Sequence, residues 1–284
     1  MNSTSAGEPA LYVVATPIGN LGDISARAIE VLGSVSLIVA EDTRHSRTLL
    51  AHLGLTTPMS ACHEHNEATQ APRLVKRMLD GDSVALISDA GTPLLSDPGT
   101  KLVTAAIEAG IAVIPIPGAS ALLSAVVASG LPSDRFTFLG FLPRKGGDRD
   151  TMLRFIARSP FTTVLYESPQ RVAATLADIA AAGCGTRQAV LARELTKKFE
   201  EILRGTVESL LDTIGEKVRG EVVLVIAGGT EEAPGDAQAR EIVSLMRSEG
   251  ASSRDIIARL GDLGVPRNVA YKLAHSPPDS TPHG

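Results

Sequence analysis

Two carboxylates and a cation follow directly on a short apolar run, at a position where a strand would end. The run Leu37–Ala40 predicts a buried strand, and Glu41, Asp42 and Arg44 come next. In this setting Asp42 is predicted to act as a base or to orient one. Arg44 would hold a phosphate, or it would pair internally with the neighbouring acids. The pattern therefore favours proton-transfer or anion-binding chemistry, with an internal ion pair as the alternative.

The segment 88–99 packs two aspartates, two prolines and two glycines into one connection. Glycine lets a ligand approach the backbone and adopts positive φ, while proline restricts the remaining conformations. We predict that this loop holds a small ligand with exposed amides. Two overlapping turns without a ligand are the alternative.

Four further segments follow predicted strands, and ligands of open α/β sheets bind at such carboxyl ends. The segment 16–23 lacks the G-x-G-x-x-G pattern and the later acidic residue of dinucleotide-binding folds, which disfavours a Rossmann dehydrogenase. The segment 116–121 opens a helix whose free amides would bind a carboxylate or a ribose oxygen. Charged residues in 166–171 and 192–200 are typical of sites, although Glu200 and Glu201 alternatively only solvate a helix.

The histidine and cysteine patterns give little support for a metal site. His63 and His65 flank Glu64, but two imidazoles without a third placed ligand are weak evidence, so we predict no metal. Cys62 and Cys184 lie far apart and form no C-x-x-C, which predicts neither a zinc site nor a disulfide. Free thiols are typical of a reducing cytoplasm.

The composition narrows the classes of protein and partner. The chain has 284 residues, 44% of them hydrophobic, enough for one large domain or two ordinary ones. Its formal net charge of -5 excludes a global positive field, so a polyanion would have to be bound by local patches. Only 3% of residues are aromatic and none is Trp, which disfavours a binding face made mainly of stacked aromatics. No apolar run is long enough for a bilayer, which favours a cytoplasmic protein without membrane contact.

A regular alternation of strands and helices must position these loops. In the first half, β-branched runs alternate with amphipathic segments, at 11–15, 37–40, 84–87 and 112–116. This pattern predicts a largely parallel sheet with helices on its faces. A second α/β block follows, with strands predicted at 136–139, 163–166, 189–192 and 222–226. We predict an N-terminal α/β domain at 10–118, a C-terminal α/β domain at 119–229, a linker at 229–235 and a helical tail at 236–275.

The tail is predicted to contain three helices. Ile242, Leu245 and Met246 share one helical face, and Ser252 and Ser253 are suited to cap the middle helix. The spacing favours a helix-turn-helix, whereas a small bundle for packing or dimerisation is the alternative. Basic and acidic residues nearly balance, so charge does not decide between the two.

Taken in chain order, these loops resemble the tetrapyrrole methylase superfamily of S-adenosylmethionine enzymes. Within it they are most similar to the bacterial 16S ribosomal RNA cytidine 2'-O-methyltransferases. The resembling segments lie between Leu11 and about Gly229, and they are 16–23, 40–44, 88–99, 166–169 and 192–197. Porphyrin-precursor methylases have a more glycine-rich first loop and a Gly-Asp-Pro where this chain has Gly91-Thr92-Pro93. These differences favour the RNA branch.

The resemblance implies a fold, a methyl donor and a set of contacts. The fold would be two α/β domains of tetrapyrrole methylase type with the ligand cleft between them, plus a helix-turn-helix-like tail, usually in a homodimer. Residues implied at the donor S-adenosylmethionine are Pro17, Asp89, Gly91, Thr92, Pro93, Leu95, Ser120, Ala121, Tyr166, Glu167 and Leu195. For RNA phosphates we predict contacts from Arg144, Lys145, Arg149, Arg193 and Lys197, together with Arg44. Gly146 and Gly147 are expected to keep the Arg144 loop mobile.

The activity implied is direct methyl transfer to a ribose 2'-hydroxyl of a cytidine in 16S rRNA, cytidine 1402 of the decoding region. The partner would be 16S rRNA or the small ribosomal subunit, and positioning would supply most of the rate enhancement. Glu41 and Asp42 are the candidate bases, with Arg44 in the same catalytic group. The alternatives are methylation of a small molecule such as a tetrapyrrole precursor, and a ligand-sensing regulator with a DNA-binding tail.

Overall fold

The computed structural model describes residues 9–215, 218–229, 236–263 and 265–276. The chain forms two compact units, one ending at Gly228 and one beginning at Gly229. Most of the predicted linker, 230–235, lies outside the described residues. None of the described helices combines the length and the apolar character needed to cross a membrane.

The first sheet of the larger unit is entirely parallel, as the alternating pattern predicts. Its strands are β1 (Ala10–Val14), β2 (Leu37–Ala40), β3 (Met59–Ala61), β4 (Val84–Ile87) and β5 (Ala112–Ile116), in the order β3-β2-β4-β1-β5. The helices between them are α1 (Ala26–Ser34), α2 (Thr43–His52), α3 (Glu67–Leu79) and α4 (Thr100–Glu108). Strand β3 was not predicted, because three half-buried residues are too few to show a periodic pattern.

Strand β4 shows why the sequences of these strands are unbroken apolar runs. Val84 and Leu86 belong to the hydrophobic cluster on one face of the sheet, and Ala85 and Ile87 belong to the cluster on the other face. All four side chains are buried. Since helices cover both faces of a parallel sheet, alternate residues enter separate cores and none needs to be polar.

The second sheet is mixed. Its strands are β6 (Phe136–Phe141), β7 (Thr162–Glu167), β8 (Gln188–Arg193), β9 (Glu201–Thr206) and β10 (Val222–Ile226), in the order β6-β7-β10-β8-β9. Only β6 and β7 are parallel neighbours, and the other three pairings are antiparallel. Its helices are α5 (Ala121–Ser129), α6 (Gly147–Arg158), α7 (Val172–Ile179, followed by a π-helical turn to Cys184) and α8 (Val207–Ile214). The helical alternative for Glu201 is wrong, since β9 begins at this residue and pairs with β8.

The antiparallel register collects strand ends at one edge of the second sheet. Glu167 at the end of β7 is paired with Val222 at the start of β10, and Val222 is also paired with Arg193 at the end of β8. Arg193 in turn faces Glu201, the first residue of β9. The loops that carry the predicted charged residues of this half therefore leave the sheet side by side.

The buried carboxylate of Glu67 holds the start of α4 and so supports the loop before it. Its Oε1 accepts hydrogen bonds from the backbone N–H groups of Gly99 (3.1 Å), Lys101 (2.6 Å) and Leu102 (3.3 Å). Three amides at a helix N-terminus, which carries a partial positive charge, are satisfied by one anion.

We expect Glu67→Ala to lower the free energy of unfolding by about 2–4 kcal/mol, because it leaves buried amides without an acceptor. Urea denaturation of the full chain measures this change. Glu108→Ala, an exposed glutamate on the same helix α4, is the matched control and should change stability by less than about 0.5 kcal/mol. Equal effects of the two substitutions would contradict the role assigned to Glu67.

The smaller unit contains the three predicted helices, α9 (Asp236–Ser248), α10 (Ser253–Asp262) and α11 (Arg267–His275). Ser252 caps α10 in a capping box with Asp255. The core of this unit contains Val243, Ile256 and Leu260, whereas Leu245 is 61% exposed. Ile242 and Met246 pack partly against this core, and the fully buried residues of α9 are Ala239 and Val243.

Candidate active site

Hydrogen bonds join the loops after β1, β4 and β5 into one surface. Thr16 and Gly91 exchange two backbone hydrogen bonds, of 2.9 and 3.0 Å, in an isolated antiparallel bridge. The hydroxyl of Thr16 also donates to the carbonyl of Ser88, and the hydroxyl of Thr92 donates to the carbonyl of Ala119. The position of each loop at the carboxyl edge of the first sheet is thus set by its neighbours.

A cavity of about 460 Å³ lies where this edge faces the strand ends of the second sheet. Its volume is typical of small-molecule sites. The predicted residues that line it are Glu41, Asp89, Gly91, Thr92, Leu95, Ala121, Tyr166, Glu167 and Leu195. The structure therefore brings most of the predicted donor contacts, from the loops of both sheets, to one cavity.

Three predicted donor contacts lie next to this cavity instead of lining it. Pro17 lines a neighbouring cavity of about 290 Å³, which shares Ile18, Asp89, Ala90 and Glu221 with the first. Ser120 caps α5 by accepting a hydrogen bond from the backbone N–H of Leu123. Pro93 follows Thr92 and belongs to neither lining.

Two turns that contain non-glycine residues with positive φ each place a leucine in the lining of the cavity. Leu94 and Ser96 have φ of 74° and 73°, and the residue between them, Leu95, lines the cavity. In the second half Glu194 and Thr196 have φ of 51° and 66° and enclose Leu195 in the same way. Non-glycine residues adopt positive φ at an energetic cost, and such residues cluster at functional sites.

Three carboxylates face one another at the cavity, and they form what we call the carboxylate cluster: Glu41, Asp89 and Asp97. Burial, followed by the charge of Asp89, raises the pKa of Glu41 above its usual value. Burial and the charges of Glu41 and Asp89 raise the pKa of Asp97 to about 6. Asp89 also accepts a hydrogen bond from the backbone N–H of Asp42. Burial and mutual repulsion therefore favour the protonated form of Glu41 and Asp97.

Because ionised Asp97 is disfavoured in the folded state, its charge costs stability above about pH 6, and the cost disappears toward pH 4. We expect Asp97→Asn to raise stability at pH 7.5 by about 1 kcal/mol, a value reduced for solvent screening of a half-buried group. This corresponds to a Tm about 2–4 °C higher. Thermal denaturation at pH 7.5 and pH 4 tests it, with exposed Asp212→Asn as the control. An unchanged or lower Tm at pH 7.5 would contradict the prediction.

Asp42 and Arg44 form the internal ion pair that the sequence left open. The guanidinium of Arg44 donates to both carboxylate oxygens of Asp42, at 3.1 and 2.7 Å, and Asp42 also caps α2 through the backbone N–H of Arg44. The hydrogen bonds from Arg44 hold the pKa of Asp42 well below its usual range. Of the two candidate bases, Glu41 thus has a raised pKa and Asp42 a lowered one, and a raised pKa favours proton acceptance.

The predicted RNA-contacting cations fall into two groups. Arg144 and Lys145 are exposed and have no hydrogen bond or ion pair to any residue that the structure describes. Arg193 pairs with Glu201, and Lys197 pairs with Glu194 and Glu221.

Arg149 is placed differently from the expectation. Only 8% of it is exposed, and its guanidinium bonds to Asp178, Thr175 and the carbonyl of Pro143. It therefore stabilises the contact of α6 with α7 and is not available to RNA. Of the two glycines before it, Gly146 is the N-cap of α6 and Gly147 is its first residue.

The cavity also contains residues that were not singled out from the sequence as ligand contacts. These are Ile18, Ala90, Ser96, Asp97, Phe141, Ser168, Pro169, Glu221, Val222 and Val223. Asp97 lies in the loop already predicted to bind a ligand, so its carboxylate was a signal. Phe141 and Glu221 carry no local signal, since both reach the cavity only through the register of the second sheet.

His63 and His65 contact each other edge to face, with ring centroids 6.1 Å apart. Over the described part of the chain, no group of three or more His, Cys, Asp or Glu residues has the geometry to hold a metal ion. The charge of His63 opposes the effects of burial and Asp89 on Glu41, and so it makes the rise in the pKa of Glu41 smaller. His63 is thus an electrostatic neighbour of the carboxylate cluster.

Proteins of known function match this chain over most of its length. A protein of Pseudomonas aeruginosa named Ribosomal RNA small subunit methyltransferase I is 47% identical over 271 residues, which cover 93% of this chain and 96% of that protein. The protein of the same name from Xylella fastidiosa (strain Temecula1) is 46% identical over 92% of this chain and 97% of its own length. The corresponding protein of Escherichia coli O157:H7 is 44% identical, with coverage of 93% and 94%.

Solved structures match the fold of the larger unit at low identity. Uroporphyrin-III C-methyltransferase from Thermus thermophilus, in complex with S-adenosylhomocysteine, superposes with a TM-score of 0.55 at 19% identity, covering 77% of this chain and 97% of that chain. Diphthine synthase superposes with a TM-score of 0.58 at 18% identity, covering 77% and 90%. The sequence profile described as Tetrapyrrole (Corrin/Porphyrin) Methylases matches residues 10–211. With this profile and relatives above 40% identity, the chain belongs to the tetrapyrrole methylase family of S-adenosylmethionine-dependent methyltransferases.

Proposed function

We propose that this protein methylates the ribose 2'-hydroxyl of a cytidine in 16S rRNA, at position 1402. The observation that carries the proposal is the full-length similarity to ribosomal RNA small subunit methyltransferases. The finer assignment to a ribose oxygen is supported by a carboxylate cluster with raised proton affinity in the cavity, since an alcohol must lose its proton as it is methylated.

The residues present fit S-adenosylmethionine, which supplies an electrophilic methyl group on a sulfonium cation. The cavity combines apolar walls, from Ile18, Leu95 and Leu195, with the anionic carboxylate cluster. Apolar walls suit an adenine ring, and anions attract a cation. At Gly91 the backbone itself lines the cavity, so it can be approached closely.

Glu41 is the residue we assign as proton acceptor. It follows β2 directly, lines the cavity, and has a raised pKa because of burial and the charge of Asp89. Asp42 holds α2 and Arg44 in place, and its amide binds Asp89, so it acts as a positioning residue. This arrangement keeps the acceptor carboxylate apart from the ion pair that would lower its basicity.

We propose in addition that the enzyme is a homodimer. Helix α5 exposes Leu123 (53%) and Val127 (79%), which lie four residues apart on one helical face. Neighbouring exposed aliphatic side chains form an apolar patch, and exposed apolar patches mark interaction surfaces. Light scattering on the purified protein measures the mass, and a monomer at micromolar concentration would contradict this assignment.

The function is tested with small ribosomal subunits isolated from cells that lack this methylation. Wild-type protein, isotope-labelled S-adenosylmethionine and these subunits are incubated, and the label is located by nuclease digestion and mass spectrometry. We expect one labelled cytidine ribose. Label on a base or on another nucleotide would overturn the finer assignment. No label, with donor binding demonstrated by calorimetry, would overturn the RNA substrate and direct the search to small-molecule acceptors.

A further inference from the structure

Phe141, at the end of strand β6, lines the cavity because the pairing of β6 with β7 is irregular. Phe138 pairs with Val164 of β7, but Phe141 pairs with Tyr166, so β6 contains one extra residue between these positions. Gly140, with φ of 62°, lies within this irregularity. Bulges of this kind redirect side chains and are frequent beside active sites.

The extra residue reverses the face on which Phe141 lies. In a regular strand Phe138 and Phe141, three positions apart, would point to opposite faces. Here both contact the ring of Tyr166 edge to face, with centroids 4.8 and 5.7 Å away. Phe141 lines the cavity and is nevertheless 50% exposed. An aromatic ring is thus held at the mouth of the site by a fixed neighbour.

The chain beyond Phe141 places two free cations next to this ring. Arg171 donates to the carbonyl of Leu142, at 2.6 Å, and Arg149 donates to the carbonyl of Pro143, at 2.9 Å. These bonds fix the segment that presents Arg144 and Lys145, both exposed and without a partner among the described residues.

A third cavity, which is open to the surface, adjoins the first. It has a volume of about 500 Å³, is lined by Arg144, Gln170 and Arg171, and shares Ser168 with the main cavity. Acidic groups are also close, namely Asp178, which is neutralised by Arg149, and Asp148 and Asp150 in the first turn of α6. The two side chains of segment 144–145 are exposed, positively charged and without an ion-pair partner among the described residues.

We propose that Phe141 is the platform on which an unpaired base of the RNA substrate stacks, and that Arg144 and Lys145 bind the adjoining phosphates. This inference rests on the proposed RNA methylation and names how that substrate is held. Proteins that bind unpaired RNA bases stack them on aromatic rings and neutralise phosphates with neighbouring cations. Phe141 and Arg144 lie within about 10 Å along the chain, so one short stretch of RNA reaches both.

The test separates RNA binding from donor binding. Affinity for unmethylated small ribosomal subunits is measured with S-adenosylhomocysteine present, and affinity for S-adenosylmethionine is measured alone by calorimetry. We expect Phe141→Ala to weaken subunit binding by about tenfold, while donor affinity stays within about twofold. Phe141→Trp should restore subunit binding, because stacking needs only an aromatic face. Phe155→Ala, which removes a similarly exposed ring outside the cavity, should leave both affinities unchanged.

The two cations are tested through salt dependence, which a merely structural role would not change. Arg144→Ala and Lys145→Ala should each weaken subunit binding and reduce the slope of log affinity against log salt by about 1. Normal subunit binding by Phe141→Ala would overturn this inference alone, if wild-type protein methylates the subunits. Weakened donor binding with unchanged subunit binding would instead assign the ring to the donor. Wild-type protein that neither binds nor methylates subunits would overturn the proposed function itself.

Discussion

Glu41→Gln is expected to lower kcat for methylation of small ribosomal subunits by about 100- to 10,000-fold, the usual contribution of a positioned general base. The amide keeps the shape of the side chain and removes its proton affinity. Donor affinity should change by less than about threefold, since Gln keeps the shape of the wall and Asp89 and Asp97 still place carboxylates at the cavity. Single-turnover kinetics with saturating subunits and donor measure the chemical step directly.

The pH dependence of the rate is a second test of Glu41 as the base. Burial and Asp89 raise the pKa of Glu41, so the wild-type rate should rise with pH through that raised pKa and then level off. Glu41→Gln should abolish this acid limb. Asp89→Asn removes a negative charge that disfavours ionisation of Glu41, so it should move the limb to lower pH.

Glu64→Gln is the matched control for Glu41→Gln. Glu64 is exposed and does not line the cavity, and of the groups that act on the pKa of Glu41 its effect is the smallest. Its substitution should change kcat by less than about twofold. A rate for Glu41→Gln within tenfold of wild type, with the acid limb retained, would exclude Glu41 as the base and direct attention to Asp97.

Gly91→Val is expected to weaken S-adenosylmethionine binding by at least about 100-fold. Gly91 has φ of 79°, and a Cβ there would lie 3.1 Å from Cγ2 of Ile18, which lines the same cavity. A β-branched residue at positive φ is strongly disfavoured, so the bridge between Thr16 and Gly91 would have to rearrange. Calorimetry with the donor alone measures the loss without any assumption about the acceptor.

Gly54→Val separates loss of the site from loss of stability. Gly54 also has positive φ, of 68°, but a Cβ there meets nothing within 4 Å, and the residue is outside both cavities that contain Ile18. Both substitutions should therefore lower the Tm through backbone strain, and only Gly91→Val should impair donor binding. Similar donor affinities of the two variants would show that the 88–99 loop does not hold the donor.

Much of the first sheet and the site at its edge could be predicted from the sequence alone. Parallel strands buried on both faces must be apolar throughout, so runs such as Leu37–Ala40 and Val84–Ile87 are visible locally. The ends of adjacent parallel strands lie together, so loops that follow such runs are expected to share a site. This reasoning led to Glu41, Asp89 and the 88–99 loop, and the family resemblance identified the donor.

Only the tertiary structure decided which charged groups are available. Asp42 and Arg149 look equivalent to Glu41 and Arg144 in the sequence, since each pair has the same charge. Asp42 and Arg149 are engaged in ion pairs, whereas Glu41 and Arg144 have no ion-pair partner among the described residues. Such pairings depend on which helix packs beside which strand, and no local pattern records this. The positions of Phe141 and Glu221 depend likewise on one extra residue in β6 and on the antiparallel register of β10. The sequence by itself determined the element types and the loops that carry chemistry, because these follow from local periodicity. Burial and ion pairing arise between residues far apart in the chain, so only the fold shows which carboxylates are shielded and which cations are engaged in ion pairs.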